Sequence, residues 1–139
     1  MKKICLILLF LTFFIVGCFE KSETRCINLN NVLKDIVKID IVELVEHPKT
    51  CYTFEKIKEI DSKYYEEFCD DFSTVVFIEN KKRILPETGK GFIIYFYSGE
   101  YFVITQTMFD DYNKDEYYMY TIIDEETFNA LLEKYLTSE

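Results

Sequence analysis

The acidic segment from Asp111 to Asp115 is the part of the sequence whose residue types and spacing could bind a metal ion. Asp111, Asn113 and Asp115 stand at alternate positions, and the first three oxygen ligands of a calcium loop converge on one cation with this spacing. Glu116, however, stands where such a loop needs glycine for its sharp turn, and Ile122 stands where a bidentate glutamate belongs. Too few oxygens remain for tight binding, so we expect an acidic loop between two strands and no metal site.

The five cysteines are the next residues with chemistry of their own. Cys69 falls on an apolar stripe with helical spacing, which predicts an inert, buried thiol. Cys26 and Cys51 are then the candidate disulfide pair if the domain lies outside the cytoplasm, although the sequence does not supply the Cα separation on which a bridge depends. No two cysteines have the close spacing of zinc ligands, and the chain has one histidine, so we expect no structural metal.

Candidate catalytic groups are few. His47 stands beside Pro48, which indicates a loop histidine, and no orienting residue or nucleophile motif accompanies a Cys/His pair. The paired acids Asp70-Asp71 and Asp110-Asp111 are adjacent in sequence, so their side chains point apart and suit solvated faces better than a two-carboxylate site. The sequence therefore predicts no catalytic residue and no cofactor. The competing hypothesis is an envelope hydrolase that uses His47 or the acidic loops.

The N-terminus has the layout of an export signal. A positive region at residues 1–3 is followed by 13 uncharged, largely apolar residues at 4–16, and Gly17-Cys18 comes next. The segment Ile15-Val16-Gly17-Cys18 resembles the lipobox of bacterial lipoproteins and departs from its usual Leu-Ala/Ser start at the first two positions. The apolar run over 4–19 is 16 residues long, which is short of the roughly 20 that span a bilayer.

The resemblance implies a membrane anchor. In bacterial lipoproteins the cysteine thiol is lipidated and the chain is cleaved just before it. Residues 1–17 are therefore expected to be a signal peptide, Cys18 to carry a diacylglyceryl lipid, and the protein to lie on a membrane outside the cytoplasm. The polar residues 18–26 are expected to form a tether, and residues 27–139 a single domain, since no repeat or proline-rich tract divides them.

Charge limits the partners of the mature chain. Removal of residues 1–17 takes away Lys2 and Lys3 and no acid, so 14 basic residues face 25 acidic ones and the formal charge is −11. Such a charge repels phosphate backbones, and no basic stripe interrupts it, so we expect no nucleic-acid partner. A basic protein surface or a cationic ligand fits better, although the charge can also serve solubility alone.

Two amphipathic helices are predicted in the domain. The first covers residues 62–72, where Asp61 or Ser62 can accept hydrogen bonds from the free backbone amides of the first turn. The second follows Asp124, whose side chain caps it, and has an apolar stripe from Phe128 to Leu136 at i, i+3, i+4, i+7 and i+8. Each stripe must be buried, so both helices are expected to pack against a sheet.

Alternating and β-branched runs predict the strands. The last three runs form an antiparallel meander, and Gly99 can supply the positive φ of a tight hairpin between the first two. This pattern predicts an α+β fold, with an antiparallel β-meander sheet and the two main helices packed on one face. The first predicted strand follows a short helical turn and runs from 37 to near 48. The second ends at 60, and its residues also fit helical spacing. The other predicted strands cover 75–78, 92–97, 101–108 and 117–123.

The two faces of the predicted meander differ in character. Alternate residues from Phe92 to Phe96 are apolar and suit the helices, whereas the alternate residues from Ile93 to Tyr97 form a face rich in tyrosine. Tyrosine gives contact area and keeps a polar tip, so this second face is a candidate protein-binding surface; the β-propensity of tyrosine explains it equally without a function. The candidate binding face consists of Tyr95, Tyr97, Tyr101, Tyr117 and Met119.

These features together predict a non-catalytic, membrane-anchored module that presents an acidic and aromatic surface to a protein partner. In size and layout the domain resembles small bacterial lipoproteins of unknown function and some immunity proteins that neutralise secreted toxins. A structural cell-surface lipoprotein without a specific ligand is the other alternative. The binding hypothesis requires exposed tyrosines, and their burial under the helices would contradict it.

Overall fold

One antiparallel sheet with helices against it forms the fold. The computed structural model describes residues 24–48, 51–80, 88–105, 107–110 and 119–138. In chain order the strands are β1 (Thr24–Cys26), β2 (Ile36–His47), β3 (Cys51–Glu59), β4 (Val76–Asn80), β5 (Gly89–Phe96), β6 (Tyr101–Ile104), β7 (Thr107–Asp110) and β8 (Met119–Ile122). The described residues also form two 3-10 helices, η1 (Leu29–Asp35) and η2 (Ser62–Tyr64), and two α-helices, α1 (Tyr65–Phe72) and α2 (Glu125–Thr137).

The strands β5 to β8 are consecutive neighbours and form the predicted meander. Within the described residues the strand order is β1-β4-β8-β7-β6-β5-β2-β3, and each neighbouring pair is antiparallel. The hairpin β2-β3 extends one side of the meander, and β4 with β1 extends the other. The predicted α+β fold, a meander sheet with two main helices on one face, is confirmed.

The run predicted as one strand over 101–108 is two strands. β6 ends at Ile104, the chain reverses, and Ile104 faces Met108 on β7. This reversal could not be read from the sequence, because residues 101–108 include no glycine, proline, asparagine or aspartate, the residues that usually mark a turn. Gly91 of β5 makes room for the end of β6, since the Ile104 carbonyl occupies the space where a Cβ of residue 91 would stand. The end of β6 can therefore lie unusually close to β5.

The predicted helix caps are confirmed. Asp61 accepts a hydrogen bond from the Lys63 backbone amide at 3.0 Å, and the predicted helix over 62–72 begins there as η2 and continues as α1. Asp124 accepts from the Thr127 backbone amide at 3.1 Å and from its hydroxyl at 2.6 Å. These hydrogen bonds lower the pKa of Asp124. The caps fix where α2 and η2, which continues as α1, begin.

The main core lies between the helices and one face of the sheet. Phe92 of β5 is fully buried and contacts Phe68 of α1 with ring centroids 5.0 Å apart and Phe128 of α2 at 5.9 Å. Tyr135 of α2 is 1% exposed and contacts Phe68 at 5.3 Å. Burying aromatic rings of this size is a large share of the apolar stabilisation of a small domain.

A polar cluster joins the two α-helices at the edge of this core. Lys134 lies 2.6 Å from a carboxylate oxygen of Glu67 and 2.6 Å from one of Asp71, and the Tyr135 hydroxyl donates to Asp71 at 2.9 Å. We call Glu67, Asp71, Lys134 and Tyr135 the helix-contact cluster. The hydrogen bond with Asp71, followed by that with Glu67, raises the pKa of Lys134. Asp71 therefore links two helices and is not the solvated side chain that the sequence predicted.

Candidate functional site

Two of the predicted tyrosines form a pair on the sheet face opposite the helices. Tyr95 and Tyr101 face each other across β5 and β6, with ring centroids 6.0 Å apart and 40° between their planes. Both are half-buried and pack against the buried residues Val42, Ile93 and Val103. The pair therefore covers a second, smaller apolar cluster, and the helices α1 and α2 do not lie over it.

A charged network holds the tyrosine pair from one side. The Asp40 side chain is 3% exposed and lies 2.8 Å from the Lys38 ammonium and 3.0 Å from that of Lys56. The Lys38 ammonium also lies 4.3 Å from the centre of the Tyr95 ring. The hydrogen bond with Asp40 raises the pKa of Lys38, and burial raises the pKa of Tyr95. Because the Asp40 side chain is nearly fully buried and each of its oxygens lies within 3.0 Å of an ammonium group, this network positions Tyr95 and does not present the carboxylate to a partner, although Oδ1 has no hydrogen-bond partner among the described residues.

Tyr97 does not share the face of that pair. β5 ends at Phe96, and Tyr97 begins the turn to β6 with 78% of its surface exposed. The prediction that it belongs with Tyr95 is wrong, because Tyr97 is not among the residues that pack against the cluster under the tyrosine pair and instead lines a pocket with Phe96 and Phe102. β-propensity explains tyrosine inside a strand, but it gives no reason for an exposed aromatic ring at a turn.

Local hydrogen bonds fix the turn that carries Tyr97. Gly99 donates its backbone amide to the Phe96 carbonyl at 3.0 Å, and Phe96 donates to the Glu100 carbonyl at 3.0 Å. Gly99 adopts the predicted positive φ, 86°, which a short hairpin loop requires. Tyr97 donates its own backbone amide to the Asp35 carbonyl at 3.0 Å. The turn is thereby attached to the end of η1.

An open pocket of about 320 Å³ lies where this turn meets η1, and we call it the turn pocket. The rings of Phe96 and Phe102 lie edge to face, with centroids 4.8 Å apart and 66° between their planes, and give the pocket an apolar wall. Asp35 and Glu100 contribute acidic side chains. The lining residues are Val32, Asp35, Phe96, Tyr97, Ser98, Glu100 and Phe102.

Both charged residues of the turn pocket are acids. The Ser98 hydroxyl donates to the Glu100 carboxylate at 3.1 Å and accepts from the Glu100 backbone amide at 3.3 Å, which holds Glu100 at the turn. Within the described ranges the Asp35 carboxylate has neither an ion pair nor a hydrogen bond, and the pocket lining includes no lysine or arginine. The turn pocket thus combines aromatic surface with an open carboxylate.

A second cavity, of about 250 Å³, lies between the start of β5 and α2. Thr105 lines it, and the Thr105 hydroxyl is buried without a hydrogen-bond partner among the residues that the structure describes. Lys90 and Glu133 give its lining opposite charges. We regard the turn pocket as the better candidate site because it alone of the two is bordered by a largely exposed aromatic side chain.

The candidate disulfide between Cys26 and Cys51 is not formed. Cys26 is a free, exposed thiol in β1, and Cys51 begins β3. These strands occupy the two opposite ends of the strand order, and the sequence could not reveal that order. Cys69, in contrast, is the buried free thiol that the helical stripe predicted, and burial raises its pKa to about 11.

The remaining predicted residues are placed only in part. Met119 begins β8 opposite Phe109, which faces Val103 across β7 and β6, so the register aligns Met119 with the outer-face residue Val103. β2 ends at His47. Tyr117, the acidic loop 111–115, the predicted signal segment 1–17 and the predicted lipidation site Cys18 lie outside the described residues.

Comparison of the chain with protein-family models, with curated proteins and with solved structures finds no match. Among the described residues there is no group of three or more histidine, cysteine, aspartate or glutamate side chains placed to hold a metal ion. A search of the same residues finds no helix with the length and apolar character to cross a membrane. The site is therefore interpreted from its own geometry, as an aromatic and acidic pocket at a hairpin turn of an α+β domain.

Sequence reasoning singled out Tyr97 but missed the acids that surround it. Asp35 lies far from the turn in sequence and reaches it only because β2 pairs with β5. Glu100 follows the turn directly and could have been included. The available signal was the composition Tyr97-Ser98-Gly99-Glu100, which places an aromatic residue where polar turn residues are usual.

Proposed function

We propose that this chain is a lipid-anchored, extracytoplasmic, non-catalytic module that binds a basic protein partner through the turn pocket. The observation that carries the proposal is Tyr97, which is 78% exposed on a turn fixed by hydrogen bonds and borders an apolar pocket with acidic residues. Aromatic residues with polar tips are enriched in protein–protein contacts. Neither the core nor the turn requires a tyrosine here, whereas protein contact surfaces are enriched in this residue.

The charge of the chain supports the choice of partner. The mature chain carries 14 basic and 25 acidic residues, so its field attracts basic protein surfaces and repels nucleic acids. The turn pocket has the same sign of charge, since Asp35 and Glu100 line it. The field of the whole domain and the local charge of the site thus favour the same kind of partner.

The anchor is proposed from Cys18 and the segment before it. A diacylglyceryl group supplies two acyl chains, which is what stable membrane attachment requires. In cells grown with a clickable palmitate analogue, the wild-type chain is expected to take up the label and Cys18→Ala is expected not to. Cys26→Ala, which removes the exposed thiol of β1, is the matched control and should behave as wild type. A labelled Cys18→Ala chain would contradict the anchor.

Site-specific photo-crosslinking tests the binding function. The crosslinking amino acid p-benzoylphenylalanine is placed at position 97 of the full chain in its native cells and, in a second strain, at position 123. Ile123 is a suitable control because it is also exposed, at 52%, and follows β8 rather than the β5-β6 turn. We expect one discrete adduct from position 97 and none from position 123.

The crosslinked protein is then identified and purified, and its affinity for the full chain is measured. Tyr97→Ala should weaken binding about tenfold or more, as expected for an aromatic residue at the centre of a contact, and Ile123→Ala should leave it unchanged. Equal adducts at positions 97 and 123, or equal affinities of Tyr97→Ala and Ile123→Ala, would exclude the turn pocket as the contact site. The absence of any adduct would favour a structural lipoprotein without a specific ligand.

A further inference from the structure

We infer that the turn pocket binds an arginine side chain of the protein partner. The inference rests on the proposed function and adds the chemistry of the contact. The first argument is the size of the turn pocket: its volume of about 320 Å³ is at the lower limit of the roughly 300–1,000 Å³ of small-molecule sites. A pocket of this volume suits one long side chain better than a cofactor or a large ligand.

The aromatic wall of the pocket favours a planar cation. Phe96 and Phe102 lie edge to face with centroids 4.8 Å apart, and Tyr97 stands beside them with most of its surface exposed. The negative face of an aromatic ring attracts cations, and a guanidinium group stacks on such a ring more readily than an ammonium group because it is planar and less strongly hydrated. These rings therefore favour arginine over lysine.

The two acids supply the charge complement. Asp35 comes from η1 and Glu100 from the turn, and both line the pocket with the aromatic residues. A guanidinium group presents five donors in one plane and pairs with carboxylates through charge-assisted hydrogen bonds. An incoming arginine could thus stack on a ring and bond to a carboxylate at the same time, whereas an uncharged side chain of the same shape would make both contacts without the contribution of charge.

The chain itself contains an occupied arrangement of the same groups. In the helix-contact cluster the Lys134 ammonium lies 2.6 Å from Glu67, 2.6 Å from Asp71 and 5.2 Å from the centre of the Tyr135 ring. Two carboxylates and a tyrosine there surround a cation from the chain. The turn pocket also brings two carboxylates and a tyrosine together, and of these carboxylates that of Asp35 has neither an ion pair nor a hydrogen bond within the described residues.

The test uses small probes and the full chain purified in detergent, labelled with ¹⁵N. The probes are N-acetyl-arginine methylamide, the lysine equivalent, and the citrulline equivalent, which has nearly the shape of arginine but no charge. We expect the arginine probe to shift the amide signals of Ser98, Gly99 and Glu100 with a millimolar Kd. The citrulline probe should bind about tenfold more weakly, and the lysine probe should lie between them.

Charge variants locate the effect. Asp35→Asn and Glu100→Gln should each weaken the arginine probe about twofold to fivefold, as expected for exposed ion pairs, and higher salt should do the same. Glu55→Gln is the matched control, since it removes one exposed acid from β3, outside the pocket, and should have no effect. Unfolding temperatures are measured for all three variants, so that a loss of binding is not confused with a loss of fold.

Each result decides between the pocket and its alternatives. Equal binding of arginine and citrulline would overturn the role of charge, equal or tighter binding of lysine would overturn the choice of arginine, and no shift with any probe would overturn the inference entirely. These failures are separate from failure of the proposed function. A crosslink at position 97 with no arginine selectivity would support the protein contact and contradict arginine as the bound side chain. Arginine selectivity without any crosslink would contradict the protein partner.

Discussion

The helix-contact cluster and the turn pocket use the same kinds of side chain in opposite ways. In the cluster, Lys134 lies between Glu67 and Asp71, and the Tyr135 ring is 1% exposed beneath them. In the pocket, Tyr97 is 78% exposed, and the Asp35 carboxylate has neither an ion pair nor a hydrogen bond within the described residues. The cluster is completed within the chain, whereas the pocket keeps an open carboxylate and an exposed ring.

The difference shows where this domain can accept a partner without losing stability. The cluster closes the contact between α1 and α2, so its charges are used to hold the fold. The turn pocket lies outside that contact, and its backbone is held by main-chain hydrogen bonds of the hairpin and by the Ser98 hydroxyl, without the Tyr97 ring. Changes in the cluster should therefore reduce stability, and changes in the pocket should reduce binding.

Loss of the cluster tyrosine should have the largest effect. Tyr135→Ala removes a ring that contacts Phe68 at 5.3 Å and Tyr64 at 6.5 Å, together with its hydrogen bond to Asp71. We expect the free energy of unfolding, measured with urea, to fall by about 3–5 kcal/mol, as for other large buried aromatic residues. Tyr97→Ala is the matched change in the open site and should alter it by no more than about 0.5 kcal/mol. Similar losses in both variants would end the distinction between the two sites.

Alkaline pH should also act on the cluster and not on the pocket. Burial, and then the hydrogen bond with Asp71, raises the pKa of Tyr135 above its ordinary 10.0, and hydrogen bonds with Asp71 and Glu67 raise the pKa of Lys134 above 10.5. The folded chain holds these protons more tightly than the unfolded chain. The stabilisation is therefore complete below about pH 10 and is lost as the pH rises through the folded pKa values.

The measurement is the free energy of unfolding between pH 8 and pH 11. We expect it to fall with rising pH, and Tyr135→Phe to make the fall shallower, because phenylalanine does not titrate. Cys69 also lowers the free energy of unfolding as the pH rises, since burial raises its pKa to about 11. The dependence of the free energy of unfolding on pH is therefore compared in a Cys69→Ala background. A slope that Tyr135→Phe leaves unchanged would show that the cluster is not its source.

The sequence predicted the cluster side of this comparison better than the pocket side. The apolar stripe that ends in Tyr135 and Leu136 repeats at helical spacing, and the caps at Asp61 and Asp124 are local signals, so both α-helices could be placed. Periodicity also assigned Phe92 to the helix-covered face. Such features depend on neighbours within one turn of a helix or a few residues of a strand, and a single sequence contains that information.

The turn pocket depends on pairings that a single sequence does not contain. Asp35 meets Tyr97 because Ile36 faces Phe96 across β2 and β5, and register between distant strands is set by the whole sheet. The same limit explains why the sequence offers Cys26 and Cys51 only as a candidate pair, and their strands lie at opposite ends of the strand order. It also explains why Tyr97 was grouped with Tyr95, since the end of β5 decides whether alternation continues.

A cation supplied by the chain itself should convert the open site into an occupied one. Ser98 is exposed and lines the turn pocket with Asp35 and Glu100, so Ser98→Lys places an ammonium group within reach of both acids. The resulting ion pairs are exposed, and the variant also loses the hydrogen bonds of the Ser98 hydroxyl, so the free energy of unfolding should change by less than about 0.5 kcal/mol.

Binding should respond although stability does not. We expect Ser98→Lys to weaken the arginine probe about fivefold or more, because the new ammonium group competes for the same carboxylates, as Lys134 does for Glu67 and Asp71 in the helix-contact cluster. Ser98→Ala is the matched control: it removes the hydroxyl without adding a charge and should change the affinity less than about twofold. If Ser98→Lys and Ser98→Ala bind the probe equally, the acids of the pocket do not attract the ligand. The turn pocket would then resemble the helix-contact cluster in composition alone.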